Sequence, residues 1–437
     1  MNDREMTGSI SRREVLKRGL LGAAGLALLD YGEAQAQPRV AAPRAKAVIQ
    51  IWMWGGPSHL DTFDPKPDAG YDYTGPLNKA IPTNVDGIVI GQLLPLLARQ
   101  ADKYSIIRSM THGVNAHETA SYIVQTGRTP GDGLVFPSVG AVVSLFRGYE
   151  HGYEGLIPPY IVLTELQGRF SEAGFLGPRY KPFATGGDPN QQRFAVEGIV
   201  AAGISDERQR ARRDLLHELD SLGNAMPGTP RFERLNQCER KAYDLILGDA
   251  GKLFDLTQEK DEVRERYGRK TFGQCCLMAR RLVEHGVPYV TINYKGWDTH
   301  KQHFEAMRRK LPEMDQGMAA LLQELDERGL LESTIVWWGG EFGRTPRVQW
   351  ESPWNGGRGH HGACFCAVLA GGGFQGGRVV GASDARGEEV AERPVHPREV
   401  IASIYERLGI DPEGALPNAR GVEAKIMPDA GRVHELV

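Results

Sequence analysis

Apolar and polar positions alternate along this chain in blocks with a recurring order: a short run of β-branched and aromatic residues, a glycine, then a loop rich in ionisable groups. Residues 47–54 (AVIQIWMW) run into Gly55-Gly56-Pro57, which is how a strand buried on both faces enters a loop. The same pattern predicts strands over 104–108, 160–164, 288–294, 334–338 and 363–369. Helical spacing of apolar residues predicts helices over 93–98, 117–125, 137–146, 272–284, 304–328 and 397–408, with Gly286 as a C-cap beyond the fourth. The opening order β, α, β, α, α, β favours a mainly parallel sheet with helices on both faces, an α/β class. Between 187 and 269 charge density rises and leucines recur at helical spacing, so this stretch reads as a helical insertion on the main body.

The strand over 334–338 is the one the chain is organised around, because Gly339-Gly340 after it releases Glu341, Arg344, Arg347, His360 and His361 in quick succession. Three further clusters repeat the arrangement: His59 with Asp61 and Asp64, His117 with Glu118 and Thr119, and Asp298 with His300 and His303. Loops at the carboxyl ends of parallel strands open on one edge of the sheet, where ligands bind. Borderline divalent metals take imidazole and carboxylate ligands, so the expected metal set is His59, Asp61, Asp298, His300, Glu341, His360 and His361. Any one of these clusters alone is what a solvated loop or a helix cap contains; four of them beyond strand ends carry more weight. The sequence has no G-x-S-x-G elbow, no G-x-x-x-x-G-K-[ST] loop and no G-x-G-x-x-G after a strand, which disfavours a hydrolase elbow and nucleotide chemistry.

Length and composition narrow the picture only slightly. The 437 residues allow two or three domains, or one large α/β domain with insertions, and 52 basic against 55 acidic residues argue against nucleic acid as a partner. The five cysteines, Cys238, Cys275, Cys276, Cys364 and Cys366, lack paired spacing and read as small buried hydrophobes. The amino terminus says more. Arg12-Arg13, a mild apolar run over 19–29 and Ala34-Gln35-Ala36 resemble a twin-arginine export signal covering 1–36, the run being too short for a stable membrane span. A periplasmic or secreted protein, delivered by the twin-arginine translocation machinery and starting near Gln37, is the expectation.

Together these motifs resemble the twin-arginine-exported domain-of-unknown-function 1501 family, grouped with the alkaline phosphatase and sulfatase superfamily. The resemblance rests on GGPSHLDTFDPKP at 55–67, HETASYIVQTGRTP at 117–130, GWDTH at 296–300, GEFGRTPR at 340–347, GHHG at 359–362 and HPREVIASIYERLGID at 396–411. It implies one three-layer α/β/α sandwich over 37–437, interrupted by the 187–269 insertion, and a divalent metal (Zn, Ca or Mg) where phosphatases and sulfatases hold theirs. It implies a hydrolase of a phosphate or sulfate ester, on a small anionic molecule or a polysaccharide. The attacker would be metal-activated water or Thr119, with His117 beside it and Arg344 clamping the anion. Two departures stand out. The position of the sulfatase Cys or Ser nucleophile falls on His117, with the Pro and Arg positions on Thr119 and Ser121, and the late Asp-His pair of phosphatases is Glu341-Phe342 here. A secreted, non-catalytic binding or scaffold protein on the same fold is therefore the alternative.

Overall fold

The computed structural model describes residues 43–131, 133–166, 172–191, 250–417 and 423–437, with a few isolated positions between 194 and 215. The export signal, Cys238 and most of the expected insertion lie outside the described residues.

An eight-stranded sheet forms the middle layer. Its strands in chain order are β1 (Ala47–Met53), β2 (Tyr104–Met110), β3 (Tyr160–Leu163), β4 (Phe183–Ala184), β5 (Tyr289–Tyr294), β6 (Thr334–Gly339), β7 (Phe365–Ala370) and β8 (Val379–Val380). In space they run β8-β2-β7-β6-β1-β5-β3-β4. All are parallel except β7, which is antiparallel to both β2 and β6. β1 lies between β5 and β6, with Ile51 level with Ile292 on one side and Trp338 on the other. A seven-residue strand buried throughout suits that central place.

Side chains of a strand alternate between faces, and β1 divides the core accordingly. Ile49, Ile51 and Met53 pack with α3 (Thr271–Glu284) and α4 (His303–Glu327), while Val48 and Trp52 pack with α1 (His117–Thr126), α2 (Val139–Arg147) and α5 (Pro397–Arg407). The protein is thus a three-layer α/β/α sandwich, as the alternation of the sequence predicts. Strand boundaries shift by a residue or two. The two-residue edge strands β4 and β8 carry too little pattern to be read in advance, and the reversed direction of β7 is not encoded in its apolar run at all. Cys275, Cys276, Cys364 and Cys366 are buried free thiols. Among the described residues no helix is long and apolar enough to cross a membrane.

The parallel strands β1, β2, β5 and β6 end on one edge, and β7 starts there because it runs the other way. Every loop discussed below leaves or enters the sheet at this edge.

Candidate metal centre

Gly55 and Gly56 follow β1 with φ of 108° and 77°, backbone values that a side chain strains against. A Cβ on Gly55 would lie 2.2 Å from the Asp298 nitrogen, and one on Gly56 2.6 Å from Phe342. The bare backbone lets the loops after β5 and β6 close over the end of β1. There the Gly55 N–H donates to Glu341 Oε1 (2.9 Å).

Asp298, beyond β5, is the centre of the cluster. His300 Nε2 and His360 Nε2 each lie 3.1 Å from its Oδ1, and His117 Nε2 lies 3.4 Å from its Oδ2. His300 and His360 bring their Nε2 atoms to 2.8 Å of each other. Ligand atoms of His117, Asp298 and His360 all fall within 4.8 Å. Around a tetrahedral ion with bonds of about 2.0–2.1 Å, ligand atoms stand roughly 3.3 Å apart, so this spacing matches a metal's coordination sphere. His117 supplies its ring from the first position of α1, and His360 from a two-stranded ribbon, Gly343–Arg344 with His360–His361, that leads into β7.

The far nitrogens of two of these rings are already committed. His117 Nδ1–H donates to Glu341 Oε1 (2.7 Å), and His360 Nδ1–H to the Asn115 carbonyl (2.7 Å). A neutral imidazole protonated on Nδ1 turns a lone pair outward on Nε2, so these rings present acceptors to an acceptor carboxylate. That repulsion is relieved by a proton or by a cation. Backing a histidine ligand with a carboxylate or carbonyl is how metal sites orient it. Without a metal, hydrogen bonding to Asp298 and then to Glu341 raises the His117 pKa to about 9. Burial lowers that of His300. Burial works against the Asp298 carboxylate, yet hydrogen bonds from His117, His360 and Arg344 outweigh it and hold the group far below the ordinary carboxylate range. A donor set of two imidazoles and a carboxylate, with a third imidazole (His300) at its edge, fits zinc or a similar borderline ion better than calcium or magnesium, which favour oxygen.

The remaining expected residues are placed differently. Glu341 is fully buried behind His117, where Oε1 accepts from the ring and from Gly55 N–H while Oε2 has no hydrogen-bond partner, and it is not part of the cluster at metal-ligand spacing. Asp61 accepts from His303 Nε2–H (2.8 Å) and pairs with Arg358 Nε (3.2 Å), both through Oδ2 and all three buried, so its contacts lie in a network of its own beside the Asp298 cluster. His59 and His361 stack on each other, ring centroids 6.2 Å apart, and donate from Nε2 to the carbonyls of Gly387 and Glu388 (2.8 Å each). Burial lowers the His59 pKa to about 4. Asp64 is engaged by Ser383, Lys66 and Arg108. Arg344, expected as an anion clamp, is fully buried and donates to the carbonyls of Gly55, Gly56 and Arg358 and to Asp298. Its guanidinium braces the Asp298 carboxylate and has no free fork. Thr119 is half-buried in the first turn of α1, and Ser121, one turn from His117, is buried with its hydroxyl unpartnered. His303, which the sequence reading grouped with Asp298, belongs to the Asp61 network.

A family model described as a protein of unknown function (DUF1501) matches residues 45–437. No curated protein matches the sequence. Solved structures similar in outline include a sulfatase from Pseudoalteromonas sp., 15% identical, covering 92% of this chain and 73% of that one at a TM-score of 0.37. They also include a protein in the alkaline phosphatase superfamily from Vibrio parahaemolyticus (12% identical, 90% and 71% covered, TM-score 0.37). A phosphonate monoester hydrolase from Silicibacter pomeroyi is a third (10% identical, 89% and 75% covered, TM-score 0.36).

Proposed function

Because the chain belongs to the DUF1501 family and carries the cluster just described, we propose that it is an exported metal-dependent hydrolase of a phosphate or sulfate ester. One observation carries this reading: the Nε2 atoms of His117 and His360 and the Asp298 carboxylate converge at metal-ligand spacing, with His300 Nε2 beside His360 and the far nitrogens of His117 and His360 already spent. His117, Asp298, His300 and His360 would hold the ion. When bound, such an ion supplies Lewis acidity toward an ester oxygen and activates water.

The chain's own residues do the rest. Glu341 holds the His117 ring in the tautomer that turns Nε2 toward Asp298, and Arg344 keeps the Asp298 carboxylate ionised and fixed. The proton that His117 carries up to about pH 9 in the unloaded protein must leave before the ion enters. Trp54 and Phe342 flank the His117 ring (centroids 5.3 and 5.0 Å) and limit water on that side, whereas Asp298 remains open to solvent, where substrate would approach.

The commitment of Arg344 to three backbone carbonyls and Asp298 favours a second reading, a secreted binding or scaffold protein that keeps the metal but does not turn over an ester. The exported protein should therefore be stripped, reloaded with zinc, manganese, magnesium or calcium, and assayed for bound metal and for hydrolysis of 4-nitrophenyl phosphate, sulfate and phosphonate esters. Zinc retention with hydrolysis abolished by Asp298→Ala supports the hydrolase. Zinc retention without hydrolysis of any ester favours the binding protein, and failure to retain any metal refutes both forms of the metal reading.

A further inference from the structure

On the rim beside His300 the structure carries a ladder of aromatic rings that the proposed chemistry does not use. Tyr71 lies flat on Trp350, with ring centroids 5.0 Å apart and planes at 9°, and Trp350 lies on Phe304 at 5.7 Å and 17°. Phe304 is buried and anchors the stack, but Tyr71 is 60% exposed and Trp350 37%. Trp354, in the same loop, brings its ring to 6.3 Å from that of His300.

The ladder is tied to the metal cluster by backbone hydrogen bonds. Gln302 N–H donates to the Trp354 carbonyl, His303 N–H to that of Gly356, and Arg358 N–H to that of Thr299, each at 3.1 Å. On the Tyr71 side, Val348 N–H donates to the Asp72 carbonyl (2.8 Å) and Arg358 Nη2 to that of Tyr73 (2.6 Å). A Cβ on Gly356 would press on the Trp350 ring at 3.2 Å, so the loop is shaped to seat that ring. The segment carrying His300 and the segments carrying the rings therefore form one rim.

Large rings held flat in water need a reason, and contiguous exposed apolar surface is a common mark of a binding site. The face of an aromatic ring is the negative side of its quadrupole, and it attracts the polarised C–H groups on the apolar face of a pyranose. The platform is one ring wide, far below the roughly 800 Å² that each partner contributes to a stable protein interface. We propose that Tyr71 and Trp350 form a glycan subsite, which makes the substrate an ester-bearing polysaccharide, with one sugar stacked on Tyr71 and the esterified position directed at the metal set. The subsite stands on its own geometry, and only the assignment of substrate rests on the hydrolase reading.

Affinity electrophoresis of the full mature chain in gels holding dextran sulfate, chondroitin sulfate or neutral dextran, run in EDTA, reads the subsite without the metal. Wild type should be retarded by at least one of these glycans, and Tyr71→Ala or Trp350→Ala should bind it at least tenfold more weakly, while Tyr71→Phe, which keeps the ring, binds like wild type. Melting temperature, zinc content and hydrolysis of small aryl esters should be unchanged in Tyr71→Ala. No retardation of wild type by any of the three glycans overturns the proposal, as does undiminished binding by Tyr71→Ala. Failure of the hydrolase reading would show instead as absent metal or absent ester hydrolysis in the same preparations, with glycan binding intact.

Discussion

Replacing Asp61 with Asn separates a metal ligand from a structural brace. Asp61 is the single carboxylate joining His303 Nε2 and Arg358 Nε, and all three side chains are buried. Arg358 also donates to the carbonyls of Thr345, Pro346 and Tyr73, so it cannot swing out to water when its counter-ion is lost. Removing one partner of a buried pair leaves an uncompensated charge and costs about 3–5 kcal/mol. Since the entropy of unfolding grows with chain length, that loss in a chain this large corresponds to a melting temperature lower by on the order of 4–6 °C. Zinc retention, measured on protein loaded and desalted below the new melting point, should be unaltered. The assay is a melting curve with metal analysis on wild type and Asp61→Asn side by side. A variant that melts with wild type, or that keeps its stability but loses zinc, would refute the brace and return Asp61 to the metal set.

Three further outcomes follow from the same geometry. The Asp61 carboxyl is pulled down from 3.8 to about 2, Arg358 and His303 overcoming the effect of its burial; a depressed carboxyl contributes stability above its unfolded pKa and loses it as pH falls through the folded one, so wild type should lose about 2 kcal/mol between roughly pH 4 and 2 through this group, and stability measured across that window should show the slope in wild type and not in Asp61→Asn. Glu341→Gln keeps the shape but removes the carboxylate behind His117, and equilibrium dialysis should show zinc held about 10–100-fold more weakly; unchanged affinity would mean that Glu341 does not orient His117. Arg344→Lys cannot reproduce the planar fork that meets three carbonyls and Asp298, so the variant should melt earlier while the KM for an aryl ester stays put, and a loss of turnover of tenfold or more with an unaltered melting curve would restore the anion clamp.

The sandwich was legible because its signals are local. Runs such as 47–54 and 334–338 bury both faces, and the glycines that end them mark where the chain leaves the sheet. The meeting of Asp298, His300 and His360 also followed from a topological rule, since loops beyond parallel strands share an edge. The assignment of partners within that edge was not legible. His303 lies five residues after Asp298 in sequence, yet it is the first residue of α4 and its ring turns to Asp61. His360 and His361 are adjacent, but successive residues of an extended ribbon point to opposite sides, so one faces Asp298 and the other Glu388. That alternation was available as a rule, and applying it would have split the pair. Nothing in the sequence placed Tyr71 beside Trp350, because that contact depends on how two loops far apart in the chain are laid over α4.

The two carboxylate networks at this edge, one buried around Asp61 and one open around Asp298, also show why the second is the candidate metal centre. Around Asp61 the donors arrive ready-made: an arginine N–H and a histidine N–H meet the carboxylate, and the second nitrogen of that histidine accepts the Thr299 hydroxyl (2.6 Å). Both contacts fall on the one oxygen Oδ2, where a histidine N–H and the arginine's positive charge already balance the carboxylate, so a cation entering there would compete with a permanent one. Around Asp298 the count runs the other way. His117 and His360 have given their Nδ1 protons to Glu341 and Asn115, and His300 is discouraged from protonation by burial. What points inward is the Nε2 atoms of His117 and His360, that of His300 beside them, and a carboxylate; a proton on His117 meets one of these contacts when no metal is bound, and Arg344 is the one permanent donor. A site that gathers acceptors and spends its donors elsewhere suits a proton or a cation, which is why the metal reading is proposed at Asp298 and not at Asp61.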